Sequence, residues 1–263
     1  MRLDLYLTEN GFAKSRERAK AMIKAGCVKL GGVVCNKPAA DVAEGTALEV
    51  DDSSFGYVGR GLLKLETAFQ AFSLDIDGLI CADIGASTGG FTQCMLKRGA
   101  KLVYAVDVGH GQLDESLVND SRVVNMEGVN ARYLTAESFT DMPDFISVDL
   151  SFISLAMVMP SLVSCLKYGG KMAVLIKPQF ESGKSALNKK GIVRDKKDHV
   201  RVIKNMIGLF ETCGLSVLGI VPSEITGGDG NREYLACLEK SEQPATAAID
   251  IKKLVDKAFL VGE

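Results

Sequence analysis

Apolar positions in the first fifth of the chain follow the spacing of short helices and short strands. The run RLDLYLTEN carries apolar residues at helical spacing, and residues 15–26 form a second helical pattern that opens with Ser15, a favoured N-cap residue. Two short apolar runs flank Gly31–Gly32, which predicts a hairpin, and residues 47–50 predict a further strand. This region is therefore predicted to be a small α+β module.

The rest of the chain alternates helical and strand-like patterns. Residues 60–72 place Leu62 and Leu65 on one helical face. Seven strand-like runs follow: LICADIG, KLVYAVD, RVVNM, DFISVDL, KMAVLIKP, LSVLGIVP and REYLACLE. This alternation predicts a parallel sheet with helices on both faces, and the last two runs lie so close together that they are predicted to pair antiparallel. The longest apolar stretch, residues 151–166, contains Pro160 and is too short to span a membrane, so we predict a buried helix there.

These patterns divide the chain into three predicted parts. Residues 1–55 form the small α+β module, residues 56–240 form an α/β domain with a mostly parallel sheet, and residues 241–263 form a tail with a short helix. Residues 51–58 are polar and are predicted to link the first two parts. A length of 263 residues fits one or two domains.

Charge is distributed unevenly along the chain. The net charge is −2, but residues 1–37 contain eight Lys or Arg residues and three acids, a local charge of +5. This asymmetry predicts that the module meets a polyanion, and a solvated basic face is the alternative. Arg16, Lys20 and Lys24 form a stripe of like charge on the second helix, whose repulsion a phosphate backbone would relieve. A second basic segment, residues 184–204, holds eight Lys or Arg and two acids and is predicted to close over a bound strand.

Cysteine and apolar patterns exclude several classes of protein. The seven cysteines form no C-x-x-C pair and only two histidines are present, so neither a structural metal site nor a disulfide framework is expected. Residues 1–9 are already charged, which argues against a signal peptide, and no apolar run suits a membrane span. We therefore expect a cytoplasmic protein that uses neither a membrane nor a metal.

A glycine-rich turn follows the first strand of the predicted sheet. In ADIGASTGGFTQCML, the glycines let the backbone approach a ligand at the start of a helix. Asp107 ends the second strand, where a carboxylate would hold the hydroxyls of a ribose. The turn G-A-S-T-G-G lacks the middle glycine of a dinucleotide fingerprint, which favours S-adenosylmethionine over NAD; tight packing without a ligand is the alternative. The predicted cofactor-binding residues are Asp83, Gly85, Ala86, Ser87, Thr88, Gly89, Gly90, Phe91, Asp107, Val108 and Asn130.

Four charged residues are predicted to meet at one edge of the sheet. Asp149 ends the fourth strand and Lys177 ends the fifth. Glu233 begins the last strand, and Lys64 lies on the helix that precedes the sheet. Ligands bind at the carboxyl ends of parallel strands, and buried charges of both signs are stable only when they are paired. Each of the four, taken singly, is more typical of a surface charge.

The first region resembles the S4 RNA-binding domain. The motifs that carry the resemblance are RLDLYL, SRERAKAMIKAGCVKLGG and the strand after them, over about 50 residues. The resemblance implies that this module binds RNA. It assigns that role to Arg2, Ser15, Arg16, Arg18, Lys20 and Lys37.

Nearly the whole chain, to about residue 240, resembles the TlyA family of ribosomal RNA 2′-O-methyltransferases. The motifs are YVGRGLLKL, ADIGASTGGFTQCML, AVDVGHGQL, NMEGVNAR, DFISVDLSFISL, LIKPQFE, KGIVRD and GNREYL. These proteins are often described as haemolysins and contain a domain similar to the FtsJ ribose methyltransferases. The resemblance implies a Rossmann-like S-adenosylmethionine-dependent methyltransferase domain, with ribosomal RNA or ribosomal subunits as partners and a cytidine ribose as acceptor. It also implies a catalytic set, which matches Lys64, Asp149, Lys177 and Glu233.

A division of labour among these four residues is expected from the chemistry of a ribose hydroxyl. The hydroxyl is a poor nucleophile, so Lys177 is assigned the role of base or of orienting group. Lys64 supplies a neighbouring charge that favours loss of the Lys177 proton, and the two carboxylates orient the ammonium groups. The competing hypothesis is an RNA-binding protein with a haemolysin-type or ribosome-assembly role and no methyl transfer.

Overall fold

The computed structural model describes residues 1–24, 26–43, 45–51, 58, 61–227 and 230–260. The chain divides into two compact units, Met1–Arg60 and Gly61–Glu263. The predicted domain boundary at residues 55–56 and most of the predicted linker lie outside the described residues.

The first unit contains two helices and a three-stranded antiparallel sheet. Its elements are α1 (Leu3–Glu9), α2 (Arg16–Lys24), β1 (Val28–Leu30), β2 (Val33–Val34) and β3 (Leu48–Val50), with the strand order β2-β1-β3. Ser15 caps α2, because its Oγ accepts a hydrogen bond of 3.2 Å from the backbone N–H of Arg18. Gly31 and Gly32 both have positive φ, as the tight two-residue turn between β1 and β2 requires. The predicted helices and hairpin are confirmed.

The second unit is built on a seven-stranded sheet. Its strands are β4 (Ile80–Ile84), β5 (Leu102–Asp107), β6 (Val123–Glu127), β7 (Phe145–Val148), β8 (Lys171–Ile176), β9 (Leu215–Pro222) and β10 (Tyr234–Lys240). The spatial order is β6-β5-β4-β7-β8-β10-β9. The first five strands pair in parallel, and β10 pairs antiparallel with both β8 and β9. All seven predicted strands, and the antiparallel pairing of the last two, are confirmed.

Helices cover both faces of this sheet. The helices are α3 (Leu62–Phe72), α4 (Gly90–Lys97), α5 (Glu115–Val118), α6 (Met159–Cys165), α7 (Pro178–Glu181), α8 (Lys196–Thr212) and α9 (Ile251–Leu260). Every residue of β7, and all but the first residue of β4 and of β8, is buried, as expected for central strands packed on both sides. The fold is therefore a Rossmann-like α/β sheet domain preceded by a small α+β module, as predicted.

One predicted helix is divided in the structure. The apolar stretch 151–166 begins as an irregular loop, continues as the 3₁₀ turn Leu155–Met157 and becomes helical only in α6. Pro160 lies in the first turn of α6, where its missing N–H costs no helical hydrogen bond. Within the described residues, every helix is too short or too polar to cross a lipid bilayer.

Candidate active site

The glycine turn after β4 lies tightly against the end of β7. Gly85 has a φ of 88°, and a Cβ built on it would lie 2.3 Å from the carbonyl oxygen of Asp149. Real side chains do not tolerate so short a contact, so glycine is required at this position. The turn therefore brings the backbone of the cofactor motif into direct contact with one of the predicted catalytic residues.

Asp107 ends β5 and is held by backbone amides on both of its oxygens. Ser87 N–H donates to Oδ2 and Gly109 N–H donates to Oδ1, each at 2.8 Å. These two bonds fix the carboxylate at the wall of a cavity. A carboxylate in this place can accept hydrogen bonds from the hydroxyls of a ribose, because each oxygen has more than one lone pair.

That cavity has a volume of about 450 Å³ and lies at the carboxyl ends of β4, β5 and β7. Its volume is in the range of nucleotide-sized ligand pockets. The predicted cofactor residues that line it are Gly85, Ser87, Asp107, Val108 and Asn130. The predicted residues that do not line it are Asp83, Ala86, Thr88, Gly89, Gly90 and Phe91. We call this space the cofactor cavity.

Asp83 is fully buried beneath the glycine turn. Its carboxylate accepts hydrogen bonds from Thr92 Oγ1 at 2.7 Å and from Ser147 Oγ at 3.2 Å. Burial, only partly offset by these bonds, raises the pKa of Asp83 to about 7. The side chain thus ties β4 to α4 and β7, and it does not line the cofactor cavity.

We expect the Asp83→Asn substitution to change how stability depends on pH. Because the folded pKa is raised above the unfolded value near 4, folding takes up a proton between about pH 4 and pH 7, so the parent loses stability as pH rises through this window. The contribution of Asp83 over the whole window should be about 4 kcal/mol, roughly 1.4 kcal/mol for each of three pKa units. Asparagine carries no such proton and should remove this contribution, which leaves the opposite slope from His199, whose pKa is lowered by burial. Urea unfolding of both proteins from pH 5 to pH 8 measures it, and parallel profiles would contradict the expectation.

A second cavity of about 360 Å³ brings the predicted catalytic charges together. Lys64, Lys177 and Glu233 line it, and Asp149 lies at its border in the wall of the cofactor cavity. Lys64 Nζ lies 2.7 Å from Glu233 Oε2, and Lys177 Nζ lies 2.6 Å from Asp149 Oδ1. Lys177 is 8% exposed and Glu233 is 3% exposed, so both ion pairs are largely removed from water. The four charges therefore form two ion pairs, each largely shielded from water. We call the second cavity the acceptor cavity.

Ser151 and Phe152 line both cavities. The sequence did not single them out, although they lie two and three residues after Asp149 in a motif that carried the resemblance. Ser151 Oγ accepts a hydrogen bond of 2.8 Å from Lys177 Nζ. Phe152 has a φ of 64°, is 92% exposed and packs against Phe180 with ring centroids 5.3 Å apart. A bulky residue in this backbone region is strained, which is common at functional sites.

Part of the second basic segment borders the acceptor cavity. Leu187 and Gly191 line this cavity, and an isolated bridge joins Leu187 to Val193. From Lys196 onward the segment is the first half of α8, not a loop. Gln179 and Asn231, which the sequence did not single out, also line the acceptor cavity.

Two of the predicted RNA-binding arginines have a structural partner inside the first unit. Arg2 and Arg16 both contact the buried Asp4, at 3.0 Å and 2.9 Å. Their hydrogen bonds hold the pKa of Asp4 well below its usual range. The predicted repulsion on α2 is therefore relieved at Arg16 by this carboxylate. Lys37 is exposed, and Lys20 lies on the partly exposed side of α2.

The chain matches the models of two protein families. The FtsJ-like methyltransferase model matches residues 57–240, and the S4 domain model matches residues 1–48. A candidate ribosomal RNA methyltransferase of Bacillus subtilis, named YqxC, is 44% identical over 98% of this chain and 93% of its own length. The Mycobacterium tuberculosis protein named 16S/23S rRNA (cytidine-2′-O)-methyltransferase TlyA is 41% identical over 99% of this chain and 98% of its own.

Solved structures agree with these sequence matches. A protein of Streptococcus thermophilus, named as a candidate hemolysin, is 42% identical, covers 99% of this chain and 96% of its own, and superposes with a TM-score of 0.80. A candidate S-adenosylmethionine-dependent methyltransferase of Listeria monocytogenes, 14% identical, covers 70% of this chain and 99% of its own with a TM-score of 0.54, which shows the shared fold alone. The chain therefore belongs to the TlyA family and is an FtsJ-like methyltransferase with an S4 domain at its N-terminus.

Proposed function

We propose that the protein transfers a methyl group from S-adenosylmethionine to the 2′-hydroxyl of a ribose in ribosomal RNA, with cytidine as the acceptor nucleotide. The observation that carries this proposal is the pair of adjoining cavities. One has the features of a nucleotide-type cofactor site, and the other is lined by the paired charges of Lys64, Lys177 and Glu233. The names of the similar proteins from Bacillus subtilis and Mycobacterium tuberculosis support a ribosomal RNA substrate.

The cofactor cavity suits S-adenosylmethionine better than a dinucleotide. Asp107 would hold the ribose hydroxyls, and the backbone at Gly85 and Ser87 leaves room for the methionine part beside Asp149. Asn130 and Val108 would flank the adenosine. When bound, the cofactor supplies a methyl group on a positively charged sulfur. We assign cofactor binding to the residues predicted from the sequence. Those that line the cavity would contact the cofactor, and Asp83 and the others would support the backbone of the glycine turn.

Lys177 is placed to remove the proton of an acceptor hydroxyl. The residue lines the acceptor cavity, while its partner Asp149 lines the cofactor cavity, so the ion pair spans the boundary that a methyl group must cross. A lysine amine can serve as the proton acceptor for a hydroxyl that lies within hydrogen-bond reach. Lys64 adds a second positive charge that Glu233 holds in place at 2.7 Å. Positioning of the acceptor hydroxyl against the methyl donor would supply much of the rate.

We assign RNA binding to the S4 domain, with Lys20 and Lys37 as its principal phosphate contacts. Arg2 and Arg16 form ion pairs with Asp4, so they stabilise the fold of the domain in addition to contacting RNA. Ser15 has a capping role in α2. Among the described residues, neither Lys20 nor Lys37 is seen in a side-chain ion pair, although the charge of Lys20 acts on Glu17. The S4 domain would hold the RNA while the methyltransferase domain acts on it.

Replacing Lys20 and Lys37 with glutamate should weaken RNA binding and flatten its dependence on salt. Each lost phosphate contact should lower the slope of log affinity against log salt by about 1. Fluorescence anisotropy with a ribosomal RNA fragment, titrated at several salt concentrations, measures both quantities. Lys101 and Lys253 are exposed lysines of the other unit, and replacing both with glutamate is the control for net charge. Unchanged slopes in the double variant would exclude these lysines as phosphate contacts.

The proposed function is tested with S-adenosylmethionine labelled on its methyl group. Ribosomal subunits and naked ribosomal RNA from a strain that lacks the enzyme are incubated with the protein, and the labelled nucleotide is mapped. We expect label on a cytidine ribose, in a linkage that resists alkaline cleavage. Label on a base, or tight RNA binding with no label on any substrate, would overturn the proposal. The second result would favour the alternative of a haemolysin-type or ribosome-assembly role without methyl transfer.

A further inference from the structure

Ser151 lies in the loop that separates the cofactor cavity from the acceptor cavity. It is one of two residues that line both spaces among those the structure describes. A methyl group that moves from donor to acceptor must pass this loop. The hydroxyl of Ser151 is therefore close to the reacting groups, although the catalytic set of the family does not include it.

Backbone and side-chain hydrogen bonds hold this loop at both ends. On one side, Asp149 N–H donates to the carbonyl oxygen of Ile84 at 2.9 Å. On the other side, the Glu181 carboxylate accepts from Ser154 Oγ at 2.6 Å and from Leu155 N–H at 2.8 Å. The backbone that carries Ser151 is thus anchored independently of its contact with Lys177.

Lys177 has two neighbours with different geometry. Asp149 Oδ1 lies 2.6 Å from Nζ, but this oxygen makes no aligned hydrogen bond among the described residues. Ser151 Oγ, at 2.8 Å, does accept an aligned hydrogen bond from Nζ. Asp149 therefore attracts the charge without fixing its orientation, because alignment is what makes a hydrogen bond directional. Ser151 is the partner that fixes the direction of the lysine head group.

We propose that Ser151 is a positioning residue that holds the Lys177 head group turned toward the acceptor cavity. This proposal rests on the proposed function of Lys177 as the group that receives the hydroxyl proton. The hydrogen bond to Ser151 Oγ restricts rotation of the Lys177 head group, so the nitrogen stays within reach of a 2′-hydroxyl bound in the acceptor cavity. As the 2′-oxygen forms its bond to the methyl group, the bond between that methyl group and the donor sulfur breaks, and the hydroxyl proton passes from the 2′-oxygen to Lys177 Nζ.

Kinetics of the Ser151→Ala enzyme test the proposal. The turnover number should fall about tenfold, the factor expected for one hydrogen bond that is needed in the transition state. The KM for RNA and the affinity for S-adenosylhomocysteine should stay within about twofold, since the hydroxyl does not act in ground-state binding. Ser151→Thr retains the hydroxyl and should restore turnover. Ser164→Ala removes an exposed serine hydroxyl on α6 that bonds only to its own helix, and it should have no effect.

A spectroscopic measurement separates this proposal from the proposed function. In a ¹H–¹⁵N spectrum of the lysine side chains, the signal that Lys177→Arg removes should persist in Ser151→Thr and be lost to rapid exchange in Ser151→Ala. That result would support the hydrogen bond even if no RNA tested were methylated. The proposal would be overturned by an unchanged Lys177 signal in Ser151→Ala, or by parental turnover of that variant. A loss of cofactor affinity that threonine does not restore would show a merely structural role for the loop.

Discussion

Replacing Lys177 with alanine is expected to abolish methyl transfer while leaving the affinity for S-adenosylhomocysteine within a few fold. The residue faces the acceptor cavity and the loss should therefore appear in turnover and not in cofactor binding. Removal of a general base typically lowers the rate by about 10² to 10⁴ fold. Here the neighbouring Asp149 would also lose its ion-pair partner, which places the expected loss at the upper end of that range. Labelled methyl transfer under single-turnover conditions measures it.

The Lys177→Arg enzyme distinguishes a proton acceptor from a simple positive charge. A guanidinium remains protonated at any working pH, so arginine should not restore activity if the lysine takes up the hydroxyl proton. Lys171 begins β8, the strand that Lys177 follows. Lys171→Ala is therefore the matched control and should retain parental activity. An active arginine enzyme would exclude the lysine-base mechanism and leave Lys177 as an electrostatic group.

The sheet could be predicted in detail because its strands are short apolar runs between clear helical patterns. The central strands β4, β7 and β8 are buried on both faces, so their sequences are almost continuously apolar. The hairpin of the S4 domain was equally predictable from Gly31–Gly32, whose positive φ values allow a tight turn. Where a pattern follows from burial or from backbone freedom, the residue types alone specify the element.

The stretch 151–166 shows where such patterns fail. Its apolar content suggested one buried helix, yet the first residues form the loop between the two cavities. Phe152 is apolar but 92% exposed and strained, so its place is set by the site and not by burial. Hydrophobic patterning assumes that apolar side chains are turned inward, and a functional loop is an exception to this assumption.

The candidate site was predictable only in part. The four charges could be placed at one sheet edge because parallel strands end there, but their pairing across 169 residues between Lys64 and Glu233 depends on tertiary structure. The same limit applies to Asp4, whose burial turns Arg2 and Arg16 into structural partners. Ser151 could have been proposed as a site residue because it lies two residues after Asp149. Its contact with Lys177 was not predictable, because the two residues follow different strands, β7 and β8.

Replacing Gly85 with alanine is expected to eliminate cofactor binding and activity together. The residue has a φ of 88°, and the added Cβ would lie 2.3 Å from the carbonyl oxygen of Asp149 and 3.2 Å from Leu150 Cδ2. Since the first contact is with backbone, the turn must move away from β7, which would displace Asp149 and reshape the cofactor cavity. The affinity for S-adenosylhomocysteine should fall by more than about 100-fold, equivalent to about 3 kcal/mol, and titration calorimetry measures this loss.

A matched glycine separates this steric effect from the effect of backbone conformation. Gly169 has a φ of 74°, but a Cβ built on it meets no atom within 4 Å. Gly169→Ala should therefore lower stability by about 1 to 2 kcal/mol, the penalty for an L-residue in the left-handed region, and leave cofactor affinity unchanged. Gly85→Ala should lower stability by more than this and also lose the cofactor. If both variants bound S-adenosylhomocysteine like the parent, the close approach of the glycine turn to Asp149 would not be what shapes the cofactor cavity.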